Sequence, residues 1–221
     1  MPVLALDTCT DRCSVALLND GRILAELDLK VLSGHAGMLL KLIDTLMDMA
    51  GCTPANVDLI AVGRGPGSFT GIRIGIATAK GLATALACPL KGICSLDAMV
   101  HAALPGDKPI VPVMDARKSE VFCALYSASG ERQSPYLNLP PEKIRDYCSG
   151  PTLFLGNGLE LYSDLLARDL GPDFHRAPEA LWHPKAAVIG AMASESPEKA
   201  EADVNPLYIR ASDAALTLNK T

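Results

Sequence analysis

Aromatic residues are scarce in this 221-residue sequence: four Phe, five Tyr and one Trp, 5% of the chain. So few rings argue against binding of single-stranded nucleic acid by base stacking. Positive charge is also short. Twenty Lys and Arg against 25 Asp and Glu give a net charge of −5, and an acidic chain reaches phosphates only through a local basic patch. No cluster exceeds the pair Arg117-Lys118. No run of 18 apolar residues occurs, so no membrane-spanning helix is expected. The start, Met1-Pro2-Val3-Leu4-Ala5-Leu6-Asp7, has no basic residue and is interrupted by Asp7, so it does not read as a secretory signal. The seven cysteines (Cys9, Cys13, Cys52, Cys88, Cys94, Cys123, Cys148) are odd in number and lack any Cys-x-x-Cys spacing. Zinc ribbons and secreted disulfide frameworks are thereby disfavoured. These residues read as small buried hydrophobes, and the compartment as reducing cytoplasm.

What is present is ample core material, 49% apolar, enough for one large domain or two small ones. Val3–Leu6, Cys13–Leu18 and Ile23–Leu29 read as three strands. The turn signal Asn19-Asp20-Gly21 separates the second from the third. A helix is predicted over about His35 to Ala50, then a strand Leu59–Gly63, a glycine-rich loop from Arg64 to Gly71, and a helix over about Ile72 to Ala87. A strand near Pro89–Ile93 and a helix near Leu96–Leu104 follow. A three-strand meander followed by alternating helices and strands is a ribonuclease-H-like half. Leu104 to Pro109 reads as a linker, giving lobes 1–104 and 105–221. Beyond it the pattern restarts in weaker form: a strand Ile110–Met114, a turn over Asp115–Ser119, a return strand Glu120–Tyr126, a short helix Pro141–Tyr147, a strand Thr152–Leu155 and a late helix Pro184–Ser194. Two such halves make an α/β chain of the actin/sugar-kinase/Hsp70 (ASKHA) class with a degenerate second lobe. The tail after Arg210 reads as frayed.

Both main helices of the first half carry surplus apolar surface. In the first, Leu39, Leu42, Ile43, Leu46 and Ala50 form one stripe, and Ala36, Leu40 and Met47 extend it to roughly 200° of the helical wheel. In the second, Ile72, Ile76, Leu82 and Leu86 form one face, while Ile74, Ala77, Gly81 and Ala85 form another. Either the chain's own second half covers these faces, or they are a helical protein–protein interface. Two adjacent helices with the same surplus favour the interface.

A glycine-rich turn between strand and helix can hold an anion on backbone N–H groups, or it can simply be a tight turn. This one has neither the Walker Gly-Lys-Ser/Thr nor the dinucleotide Gly-x-Gly-x-x-Gly spacing. Gly65, Gly67 and Ser68, with Asp7 and Thr8 at the end of the first strand, form a candidate phosphate site. Asp7 is open to two readings, a magnesium-linked carboxylate or the cap of its own turn. Arg117, Lys118 and Glu120 read as solvated turn charges. His35, His101, His175 and His183 have no partner His four residues away, and no Gly-x-Ser-x-Gly elbow supports a serine hydrolase.

The stretches Leu4-Ala5-Leu6-Asp7-Thr8 and Gly65-Pro66-Gly67-Ser68-Phe69-Thr70-Gly71-Ile72-Arg73-Ile74-Gly75 resemble the TsaB (YeaZ) family of bacterial tRNA-modification proteins. Asp115-Ala116-Arg117 with Glu120-Val121, and Pro206-Leu207-Tyr208-Ile209-Arg210, are similar to the same family. The resemblance covers nearly the whole chain. It implies a two-lobed actin-like fold and a part in making N6-threonylcarbamoyladenosine beside the anticodon of tRNAs that read codons beginning with A. It implies a heterodimer with the catalytic paralogue TsaD, a third component in the ATPase TsaE, and self-pairing when alone. The tRNA is reached only through the complex, with ATP or ADP bound at that level and not by this chain alone. TsaD carries a His-x-x-x-His metal motif. The matching positions here hold Ser95 and Met99, which are not imidazole ligands, so the resemblance implies a non-catalytic, metal-free subunit. An independent ATPase or sugar kinase, and a metallopeptidase, are the alternatives.

Overall fold

A computed structural model describes residues 1–31, 35–195 and 203–210, except the side chains of residues 35 and 36. The chain opens with β1 (Pro2–Asp7), β2 (Arg12–Asn19) and β3 (Arg22–Lys30). Asp20 and Gly21, both at positive φ, make the β2–β3 hairpin turn, as its Asn-Asp-Gly sequence predicts. Then come α1 (His35–Ala50), β4 (Leu59–Gly63), α2 (Phe69–Leu86), β5 (Leu90–Ile93) and α3 (Ser95–His101). The first sheet runs β3-β2-β1-β4-β5, with β1 antiparallel to β2 and parallel to β4.

Central β1 is buried on both faces, which is why its sequence is a continuous apolar run. Leu4 and Leu6 face the core shared with α1 and α2. Val3 and Ala5 face the other way, toward a late helix α5 (Ala186–Ser194). Ala16, Ala5 and Ala61 align across β2, β1 and β4, and this flat row admits α5 closely. A Cβ on Gly190 would lie 2.4 Å from Leu18 Cδ1 and 3.1 Å from Ala5 Cβ. The start of α5 is held by first-lobe acceptors: Ala186 N–H donates to Ser14 Oγ at 2.9 Å and Ala187 N–H to Glu26 Oε1 at 3.1 Å. Lys185 pairs with Asp28. At its other end, the buried Lys91 Nζ donates to Ala193 O at 2.8 Å.

The second sheet is built from β6 (Ile110–Asp115), β7 (Val121–Cys123), β8 (Leu137–Leu139), β9 (Thr152–Leu155) and β10 (Phe174–Arg176). Its order, β10-β9-β6-β7-β8, repeats that of the first when each strand is matched to its counterpart. Helix α4 (Leu159–Leu170) occupies the place of α2, and a 3-10 helix over Pro141–Tyr147 that of α1. Reduction is thus in strand length and in that helix. One face, with Val111, Val113 and Phe154, packs on Ile144, Leu159, Leu166 and Trp182. The other, with Ile110, Met114, Phe122 and Leu155, joins the first lobe's core.

Several sequence expectations shift. Ser68 Oγ accepts from Gly71 N–H, an N-cap that starts α2 at Phe69 instead of Ile72. Strands β8 and β10 and helix α4 fall where the sequence pattern predicts no element. The return strand is only Val121–Cys123, with Tyr126 in an isolated bridge to Ile110. Although α5 falls within 105–221, it packs on the first sheet, and α3 touches β6. The tail beyond Arg210 lies outside the described residues.

Candidate functional site

The glycine-rich loop is shaped by what it packs against. Ser68 N–H donates to Cys9 O at 2.7 Å, Ser95 N–H to Gly65 O at 2.8 Å, and Leu207 N–H to Arg64 O at 2.7 Å. A Cβ at Gly67 would sit 2.1 Å from Cys9 O, and one at Gly71 2.0 Å from Thr8 O. The glycines therefore let the first turn of α2 lie directly on the β1–β2 turn. Thr8, fully buried, donates its hydroxyl to Gly71 O at 2.7 Å.

Asp7 is 2% exposed. Its Oδ1 accepts from Cys9 N–H at 2.8 Å, closing an Asx-type turn, and its Oδ2 accepts from Ser95 Oγ at 2.8 Å. Burial pushes its pKa up to about 6, against the lowering effect of those hydrogen bonds. Of the five candidate phosphate-site residues, Gly67 and Ser68 line the cleft between the lobes. Asp7, Thr8 and Gly65 do not line it.

That cleft holds about 770 Å³. The first lobe contributes Thr10, Asp11 and Phe69, the second Asp115, Arg117, Lys118, Asn157 and Glu160, and the end segment Leu207 to Arg210. Arg117, Lys118 and Ser119 all adopt left-handed backbone (φ +61°, +55°, +57°), a costly turn for residues with side chains. Asp115 Oδ1 accepts from Arg117 N–H at 2.8 Å and Oδ2 pairs with its guanidinium at 3.3 Å. Glu120, its side chain 32% exposed, is paired as well as solvated: it accepts from Asn138 Nδ2 at 2.7 Å and Arg210 at 3.0 Å, which lowers its pKa. The Arg210 contact is not legible in the sequence, where 90 residues separate the partners.

The helical faces are only partly what the wheel suggests. Ala77, Gly81 and Ala85 are exposed on α2, and nothing lies within 4 Å of a Cβ added at Gly81. Leu40 is 51% exposed on α1, and Met49, outside the predicted set, 67%. Met47, however, is 4% exposed and belongs to the chain's own core, because Leu46 and Met47 both turn inward. Ile74 is half-buried and packs on the same core. The side chain of Ala36 lies outside the described residues.

At the positions matching the metal motif, Ser95 is committed to Asp7 and Met99 is 1% exposed in the core. Neighbouring Asp97 accepts from Tyr126 Oη at 2.5 Å and Tyr136 Oη at 2.8 Å, joining α3 to the second lobe. His183, its ordinary pKa lowered by burial, stands 3.3 Å from Thr10 Oγ1. Burial pushes the thiols of Cys13 and Cys123 up to about 12 and that of Cys94 to about 11. These side chains behave as packing residues, not nucleophiles. Among the described residues no three His, Cys, Asp or Glu side chains come together as metal ligands would, and no helix is long and apolar enough to cross a membrane.

Residues 30–214 match the family model of TsaD, tRNA N6-adenosine threonylcarbamoyltransferase. The chain is 35% identical over 176 residues to the tRNA threonylcarbamoyladenosine biosynthesis protein TsaB of Escherichia coli, an alignment covering 75% of each. It superposes on the solved structure of YeaZ from Pseudomonas aeruginosa with a TM-score of 0.77 and 30% identity, covering 94% of this chain and 99% of that one. The activator of 2-hydroxyisocaproyl-CoA dehydratase from Clostridium difficile, with bound ADPNP, has a TM-score of 0.57 at 10% identity, which speaks for a shared actin-like fold alone. The two repeated sheets, the glycine loop seated on the first β-turn and these similarities agree: the chain belongs to the TsaB (YeaZ) family.

Proposed function

We propose that this chain is the activating, non-catalytic subunit of a complex that transfers threonylcarbamoyl from its adenylate to N6 of the anticodon-adjacent adenosine of tRNA. It docks on the catalytic paralogue TsaD through α1 and α2, and TsaE completes the set. The observation that carries the reading is the outward side of α2, where Ala77, Gly81 and Ala85 are exposed with open space beyond Gly81. A second helix can approach such a side closely. Further support comes from Ser95 and Met99, both buried and neither an imidazole, and from the role of the Escherichia coli relative in tRNA threonylcarbamoyladenosine biosynthesis. With a net charge of −5, tRNA is held mainly by the complex and not by this chain.

The test is co-purification with TsaD from the same source and reconstituted transfer of threonylcarbamoyl. Leu40→Asp would place an unpaired carboxylate in a dry contact, costing about 3 kcal/mol or more, enough to abolish micromolar association. Because Leu40 is half-exposed in the free chain, the variant should melt close to wild type. Unchanged affinity of a folded Leu40→Asp and a folded Gly81→Leu would reject the interface. ATP turnover by the isolated chain would instead favour an independent ATPase, a reading for which the cleft leaves room.

A further inference from the structure

Residues 203–210 cross from the outer side of α2, over the glycine loop, to the second lobe. Each step is anchored. Asp203 pairs with Lys80 of α2. Val204 is fully buried and seats where β5 has no side chain, since a Cβ on Gly92 would lie 2.7 Å from Val204 Cγ1. Leu207 N–H donates to Arg64 O. Tyr208 stacks on Phe69 with ring centroids 5.0 Å apart, and Arg73 of α2 joins them, its guanidinium 3.8 Å from the Phe69 centroid and its Nε donating to Tyr208 Oη at 2.9 Å. Arg210 then reaches Glu120, at the foot of the left-handed turn 117–119 that walls the cleft.

We propose that this segment is a strap coupling the outer side of α2 to the turn that walls the interlobe cleft. Exposed ion pairs such as Lys80–Asp203 contribute little alone. The grip on α2 comes from the Arg73–Phe69–Tyr208 stack, and the root of the strap is Val204 against Gly92. At the far end, three consecutive left-handed residues persist only when their surroundings hold them. Glu120 is part of that hold, because its backbone closes the turn: Ala116 N–H donates to Glu120 O and Glu120 N–H to Arg117 O. Releasing Arg210 frees the Glu120 side chain on one side and lets the turn relax. A protein helix laid along α2 meets Arg73 and Lys80, so docking there would be felt at the cleft. That consequence rests on the docking reading above, whereas the coupling itself is a property of the isolated chain.

Hydrogen exchange of the full chain, followed by mass spectrometry, tests the coupling without any partner. Gly92→Ala forces Val204 from its seat at the root of the strap, its Cβ also coming within 3.0 Å of Arg64 Cδ, and leaves Arg73, Tyr208, Arg210 and Glu120 in place. It should speed exchange at least fivefold in both 203–210 and 115–121, and leave α4 unchanged. Arg73→Ala, on the exposed side of α2, should do the same by loosening Tyr208. Release of 203–210 with 115–121 still exchanging at the wild-type rate would overturn the proposal, as would no response in 203–210. If Gly92→Ala loosens α4 as well, Arg73→Ala alone decides.

Discussion

At the scale of single residues, the site is governed by what is buried. Asp7 has its pKa raised from 3.8 to about 6 by burial, so the folded chain binds this proton more tightly than the unfolded one. Its contribution to stability is complete below about pH 4 and is lost as pH rises through 6, a loss of at most about 3 kcal/mol. Asp7→Asn keeps the acceptor for Cys9 N–H, and its amide can donate to Ser95 Oγ in place of the present bond. Urea unfolding should therefore find the variant about 1–3 kcal/mol more stable than wild type at pH 8, with the difference shrinking toward pH 4. A variant less stable at pH 8 would show that the carboxylate is held by a charge outside the described contacts. Glycines give a second contrast on one helix. Gly71→Ala drives a Cβ against Thr8 O at 2.0 Å and should lower the melting temperature by 10 °C or more, roughly what several kcal/mol does to a chain of this size. Gly81→Ala meets nothing and should stabilise by about 0.5–1 kcal/mol through helix propensity. The sequence made the glycine loop visible but not its purpose. Glycine spacing alone does not say which loop amide meets a neighbouring carbonyl; here Ser68 N–H donates to Cys9 O.

At the scale of elements, legibility followed the number of faces each segment buries. Strands β1 and β4 bury both faces and were found from their apolar runs. Helix α1, with one wide buried stripe, was placed at its observed bounds. Helix α4 is hard to read although Leu159, Tyr162, Leu166 and Leu170 keep helical spacing, because Gly156-Asn157-Gly158 reads as a stop and the exposed Leu161 blurs the apolar stripe. Strands β8 and β10 have three residues each, too few to establish a period. Helix α5 was found, but its destination was not. Its composition, Ala-Ala-Val-Ile-Gly-Ala-Met-Ala-Ser, suits the alanine row of the first sheet, and no local pattern says which sheet that will be. The fit is checkable: Gly190→Leu should collide with Leu18 and Ala5 and cost about 2–3 kcal/mol by overpacking. Chemical denaturation should show a lower midpoint with an unchanged slope. A midpoint within error of wild type would mean that α5 is not seated on that sheet in solution.

At the scale of the whole molecule, the repeated strand order makes each lobe a version of the other, and the asymmetry between them marks where apolar helix surface is exposed among the described residues. The second lobe has only a 3-10 helix where the first has α1, and its α4 is capped by that 3-10 helix and the segment around Phe174. The first lobe has two full helices, and Leu40 of α1 and Ala77, Gly81 and Ala85 of α2 are exposed. Apolar positions on adjacent helices are poorly tolerated in water when contiguous. In the absence of the proposed partner TsaD, the face should therefore pair with its own copy about a two-fold axis, the closed arrangement available to a single self-complementary patch. Sedimentation equilibrium should show a monomer–dimer exchange, and the melting temperature should rise with protein concentration, since association stabilises only the folded chain. Gly81→Leu separates this from any effect on folding. The added side chain meets open space in the monomer and replaces glycine by a better helix former, so the monomer should melt at or above the wild-type temperature. In a dimer the same side chain would hold the two α2 helices apart, so the variant should sediment as a monomer at concentrations where wild type is paired. A Gly81→Leu chain that still dimerises with wild-type affinity would place self-association on another surface, with α2 left to its own lobe.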